Sequence, residues 1–180
     1  MDSLYSRYAN ALLSLAKEEK KVQDYKDALI EILDYLNEHN EVARYIESYS
    51  VSEEDKYAVI DKISAPFKSK SLSSFIKIIA KKRRFHSFKK IVKEYIKVAN
   101  EELGILEGIV YVTFELTKAE LKRVEEAISK DLHQKVELKQ MIDKHLIGGI
   151  KVIVNDRVYD GSIRGKLSSL KSTLNERSKE

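Results

Sequence analysis

Apolar residues recur at helical spacing through the first hundred positions and at strand spacing after that. Residues 3–17 carry Leu4, Tyr5, Tyr8, Ala9, Ala11, Leu12, Leu13, Leu15 and Ala16. At one residue per 100° these cover roughly 200° of a helix, wider than the ~100° stripe of an ordinary surface helix. A second helix is expected over residues 22–38, with Leu29, Ile32, Leu33 and Leu36 inward, and a short third over 42–48. Ser52 followed by Glu53, Glu54 and Asp55 reads as the capped start of a fourth, which Pro66 ends. The fifth, over 71–82, presents Leu72, Phe75, Ile76, Ile78, Ile79 and Ala80, again a wide arc. The sixth, over 86–103, carries Phe88, Ile91, Val92, Tyr95 and Val98 and stops at Gly104.

The texture then changes. All six glycines lie at or after Gly104, and the one proline is Pro66. Residues 109–115 read as a β-branched strand, and Thr117 with Glu120 as a capping box for a helix through Asp131. Val136, Leu138, Gln140 and Ile142 alternate with Lys135, Glu137, Lys139 and Met141, and Ile150, Val152 and Val154 alternate likewise. Asn155-Asp156 is a hairpin turn signal, and Asp160 is placed to cap a last helix with Ile163, Leu167, Leu170 and Leu174 inward. The expectation is an α+β chain: an N-terminal six-helix bundle over residues 1–104, then a small C-terminal α/β domain over 105–180. Roughly 75 residues make a thin core, which docking on a partner would help to stabilise.

Composition narrows the function classes. Lys plus Arg number 33 against 29 Asp plus Glu, for a net charge of +4 and a pI near 9.0. The signs are interspersed, so most of these charges read as a solvated surface. With no cysteine, disulfides, thiolate metal sites and thiol nucleophiles are out. No run of ~18 apolar residues exists to span a bilayer, and the start lacks a signal-peptide core.

Candidate chemistry is sparse. His39, His86, His133 and His145 share no ligand spacing, so no metal and no cofactor are expected. No serine sits in a nucleophile elbow with its partners. Gly148-Gly149 lacks the Gly-Lys-Ser/Thr of a phosphate loop and enters a strand, so close backbone approach is the better reading. Lys81-Lys82-Arg83-Arg84 is the one basic cluster: a solvated helix end, or a contact for phosphate, acidic lipid or an acidic protein. A basic adaptor for nucleic acid is the alternative, disfavoured because Phe85 and Phe88 are the only aromatics nearby. The small residues Ala9, Ala11 and Ala16 beside Tyr8 on the first helix, and Ser74 with Ile78 on the fifth, could instead form a groove for an amphipathic helix.

With these residues in view, the chain resembles the delta subunit family of bacterial F-type ATP synthases, related to the mitochondrial oligomycin-sensitivity-conferring protein. Arg7-Tyr8-Ala9-Asn10-Ala11-Leu12 is similar to the family's opening, and Phe75 to Ala80 followed by Arg84 to its fifth-helix segment. Most specific are Asp143, Leu146, Ile147, Gly148, Gly149, Asp156, Asp160, Gly161 and Ser162, with Leu167 and Leu170 beyond. Lys82-Arg83 stand where the family often has Asn-Gly, and Asn155 where Gly is common.

The resemblance implies a non-catalytic stator subunit linking the catalytic head to the peripheral stalk in proton-coupled ATP synthesis. It implies a groove of Tyr8, Ala11, Ser74 and Ile78 for the N-terminal helix of an alpha subunit. It implies a stalk surface around Gly148, Gly149, Ile163 and Leu167 for the C-terminal end of the b subunits. No nucleic acid is expected as partner. The expected place is the cytoplasmic face of the bacterial inner membrane, as a peripheral protein.

Overall fold

The computed structural model describes residues 4–163 and 165, and the chain divides into two units, Met1–Leu103 and Gly104–Glu180. The first contains helices α1 (Leu4–Glu18), α2 (Val22–Glu38), α3 (Asn40–Glu47), α4 (Glu53–Ser64), α5 (Lys70–Lys81) and α6 (Phe88–Leu103). Hydroxyl caps set two of the starts: Ser52 Oγ accepts from Asp55 N at 3.1 Å, and Ser69 Oγ from Leu72 N at 3.2 Å. Pro66 lies in a 3-10 turn, Ala65–Phe67, that closes α4. A second such turn, Phe85–Ser87, delays α6 to Phe88, later than helical periodicity predicts.

Helix α1 buries Ala9, Leu12 and Ala16 and packs chiefly on α6, which adds Ile91, Val92, Tyr95 and Ala99 to the same core. Two of the small residues expected beside Tyr8 are therefore interior; Ala11 alone of the three stays exposed. Small side chains on the buried stripe let two helix axes approach closely. Burial pushes the Tyr95 phenol well above its ordinary range, keeping it a neutral donor to Val22 O. Lys26, on the inner face of α2, is also buried, and its Nζ donates to Asn100 Oδ1 of α6 at 2.5 Å.

Glu19, just past α1, gathers three helices. Its carboxylate accepts from Ser71 Oγ of α5 at 2.5 Å and from Tyr25 Oη of α2 at 2.6 Å, while Ser69 Oγ donates to Tyr25 Oη. The bonds from Ser71 and then Tyr25 hold the Glu19 pKa below its ordinary value.

Helix α5 ends in a Schellman turn: Arg84 N donates to Ile79 O at 3.0 Å and Arg83 N to Ala80 O at 2.9 Å. Arg83 fills the left-handed position at φ +55°, where glycine is usual. Its guanidinium lies 5.0 Å from the Tyr49 ring centroid, which gives the long side chain a resting place.

The second unit is a four-stranded sheet of order β2-β1-β3-β4, with β1 (Leu106–Val112), β2 (Val136–Ile142), β3 (Ile150–Val154) and β4 (Arg157–Asp160). Strand β1 runs parallel to β2 through the crossover helix α7 (Lys118–Leu132) and antiparallel to β3, and β3 and β4 form a hairpin. Thr117 and Glu120 make the predicted capping box, and Asn155 takes the hairpin turn at φ +50°. Val110, Val112, Val136, Leu138, Val152 and Val154 form a core with Ile128 of α7.

Strand β1 starts at Leu106, three residues before the expected 109. Gly108 is required there: a Cβ would sit 2.6 Å from Val154 Cγ2 and 2.8 Å from Leu138 Cδ2. The outer edge of β2 is capped from α7, with Ser129 Oγ accepting from Val136 N and Glu125 Oε1 from Leu138 N, at 2.9 and 2.8 Å. A helix with acceptors four residues apart thus satisfies strand amides two apart and blunts that edge.

Two expected outcomes follow from these ties. Because Glu19 is held below its ordinary pKa of 4.5, its contribution is present above that value and fades as pH falls through the lower folded pKa. Thermal melts should show Glu19→Gln less stable than the parent at pH 7, with the gap narrowing as the pH is taken below 4.5; a constant gap would contradict this. Relief of left-handed strain should make Arg83→Gly more stable than Arg83→Ala by about 1 kcal/mol in urea titrations.

Candidate functional site

Helices α1 and α5 run antiparallel. Near the start of α1, Tyr8 packs edge-on against Phe75 with ring centroids 6.3 Å apart, and Arg84 Nη1 donates to Tyr8 Oη at 2.9 Å. At the far end Glu19 meets Ser71. Tyr8 and Ala11 line one cavity of about 290 Å³ together with Leu4, Arg7 and Arg84. Ile78 is half exposed although it lies in the apolar arc of α5, so its side chain is left without core to cover it.

Ser74 is exposed but belongs to a different concavity, shared with Asp61, Ser73 and Lys77 on the α4 side of α5. There Lys77 Nζ pairs with Asp61 at 2.6 Å and Ser73 Oγ donates to it at 2.8 Å, bonds that hold the Asp61 pKa below its ordinary value. The structure therefore joins Tyr8 to Ala11 in one hollow and sets Ser74 in another, polar one.

Spacing along the chain could not have added Arg84 to that hollow, because 76 positions separate it from Tyr8. The signal was the pair of facts that Arg84 follows a helix end and that an aromatic hydroxyl waits on α1. Arg83 and Arg84 of the basic cluster each rest on a tyrosine, with Arg84 lying 5.6 Å from the Tyr8 centroid. Lys81 and Lys82 are exposed.

In the second unit Gly148 and Gly149 hold a turn together. Gly149 has φ +82°, and a Cβ on it would lie 2.4 Å from Gly161 O; one on Gly148 would lie 2.9 Å from Ile163 Cδ1. Their neighbours close the contact: Gly161 N donates to Ile150 O at 2.9 Å and Ile163 N to Gly148 O at 3.0 Å. Asp160 Oδ1 accepts from Ser162 N, and the Ser162 bonds lower its pKa. Ser162 Oγ accepts from Gly165 N, so the bond three residues onward that marks a helix cap is made by Ser162 and not by Asp160. Leu167, Leu170 and Leu174 lie outside the described residues.

The glycine pair sits at the end of the sheet where β1 and β2 finish and β3 begins. Large apolar side chains stand in water there: Phe114 at 67% exposure, Ile142 at 61% and Ile147 at 70%, with Ile163 about half exposed. One exposed large apolar side chain is ordinary, but three isoleucines and a phenylalanine at one end of a small sheet are a concentration that calls for a reason. Periodicity puts Ile142 in an alternating strand and Ile147 in the glycine motif, but it does not bring them together with Phe114, because each belongs to a different segment.

A family model described as ATP synthase delta (OSCP) subunit matches residues 4–174. The ATP synthase subunit delta of Mycoplasma capricolum is 38% identical over 178 residues, which cover 97% of each chain. That of Acetivibrio thermocellus is 30% identical over 179 residues, covering 98% of this chain and all of its own. The fold is also similar to a chain of the Toxoplasma gondii mitochondrial ATP synthase hexamer, with a TM-score of 0.63 at 17% identity over 96% of this chain and 97% of that one. This chain belongs to the ATP synthase delta (OSCP) subunit family, whose members are non-catalytic, stator-linking subunits of F-type ATP synthases.

Proposed function

We propose that this chain grips the catalytic head with its helical unit and the peripheral stalk with its sheet unit, so that the head cannot turn with the rotor. The helical unit, read as a six-helix bundle over residues 1–104, takes the N-terminal helix of an alpha subunit along α1 and α5. The sheet unit, residues 105–180, takes the C-terminal end of a b subunit. Tyr8, Ala11 and Ile78, with Ser74 at the margin, are the residues for the first grip; Gly148, Gly149, Ile163 and Leu167 are those for the second.

The observation that carries this reading is the apolar face left open on α1 and α5, where Ala11 and Ile78 stay exposed beside the Tyr8–Phe75 pair. A helix laid on that face would gain about 25 cal/mol per Å² of apolar surface removed from water, less the cost of association. Exposed Phe114, Ile142, Ile147 and Ile163 support a second grip at the sheet end. No helix among the described residues is long and apolar enough to cross a membrane, which suits a peripheral subunit on the cytoplasmic face of a bacterial inner membrane. Two grips in series bear the same load, so the weaker one limits the torque resisted, and slow dissociation matters more than fast encounter.

Isothermal titration of the full chain with a peptide of the alpha-subunit N-terminus tests the first grip. Ala11→Asp puts a hydrated carboxylate into a face that must be desolvated, and should weaken the peptide about 100-fold. Circular dichroism should be unchanged, and undiminished affinity would refute the groove. For the second grip, Ile147→Asp combined with Ile163→Asp should release the purified b-subunit soluble domain in pull-downs while alpha-peptide binding persists. Retention of the stalk by that double variant would exclude the sheet end.

A further inference from the structure

At the end of the α1–α5 face nearest the start of α1, the floor is apolar and the rim is cationic. Leu4, Tyr8 and Ala11 supply the floor, and Arg7 and Arg84 line the same cavity. Among the described residues neither guanidinium meets a carboxylate. Arg84 is nonetheless oriented: the Schellman turn sets where its side chain leaves the backbone, and the 2.9 Å bond to Tyr8 Oη sets where it ends. A guanidinium carries five N–H donors in a rigid fork, and Arg84 gives one of them to Tyr8. A fork already oriented loses little freedom on taking a carboxylate.

Resting on the groove reading above, we infer that Arg84, assisted by Arg7, is the specificity residue of this face and accepts an acidic side chain carried by the incoming alpha-subunit helix, next to the apolar residue that covers Ala11. A helix with no acid at that position would cover Arg84 without pairing it, and is rejected for that reason.

The test uses the full chain and a synthetic peptide of the host's alpha-subunit N-terminus. Further peptides have each Glu changed to Gln, or each Asp to Asn, one at a time. Arg84→Gln should weaken the unaltered peptide about ten-fold or more and flatten the salt dependence of binding. One amidated peptide should bind the parent as weakly as the unaltered peptide binds Arg84→Gln, and should lose nothing further on that variant. Arg84→Lys should restore salt dependence without restoring full affinity.

Equal losses on Arg84→Gln for every peptide would overturn the inference, since Arg84 would then act only by positioning Tyr8; the groove would survive. A bound segment with no acidic residue would overturn it too. A parent chain that binds no peptide at all would remove the groove reading itself, and the inference with it. Should Arg84→Gln fail to fold, the amidated peptides on the parent still decide, because the inference requires one position to stand out.

Discussion

The hydrogen bonds that tie both ends of α1 to α5 are what the helical unit's outer face depends on. At one end Arg84 donates to Tyr8, and at the other Ser71 and Tyr25 donate to Glu19. Between them α1 is anchored from below by Ala9, Leu12 and Ala16 on the side of α6. A helix held only by its buried stripe could rock about that line of contact. Charge-assisted bonds at both ends oppose that motion, because a carboxylate or guanidinium bond is shorter and stronger than a neutral one. Half-buried Tyr8 and exposed Ala11 are thereby held in place, and for the proposed grip a surface already fixed has less entropy to lose on binding.

The sheet unit meets a different constraint. Its core is a single layer of valines, leucine and isoleucine between four strands and α7, and small cores leave little stability in reserve. Backbone accounting does much of the remaining work. Glu125 and Ser129 satisfy amides on the outer edge of β2, Gly108 lets three strands close together, and Gly149 admits the Gly161–Ser162 turn. None of these devices covers the apolar end of the sheet around Phe114, Ile142 and Ile147. The polar devices lie along the edges and that end is left bare, which is the ground for the second grip proposed above.

Much of this could be read directly from the chain. Helix α2 and strands β2 and β3 fall where periodicity puts them, since 3.6-residue and two-residue repeats are local properties. The Ser52 cap, the Thr117–Glu120 box and the Asn155 turn were legible for the same reason: each is complete within four residues. Misreadings arose where a distant neighbour overruled a local signal. Strand β1 starts at Leu106 and not at 109 because Gly108 lets Val154 and Leu138 of distant segments close upon it. Asp160 looked like the cap because its type is favoured, yet Ser162 makes the bond.

The order of helices and strands, the change of texture at Gly104 and the motifs that carry the family resemblance are all written in the chain alone. These rest on contacts between near neighbours in the chain or on residue identity alone. Tertiary structure decided which apolar residues were spare: Ala9 and Ala16 went into the core, Ala11 and Ile78 stayed outside, and Arg84 came to rest on Tyr8. A wide apolar arc states only that a helix has more greasy surface than one neighbour can cover. Which part is left open depends on where the other helices lie, and that is fixed by packing between segments many residues apart.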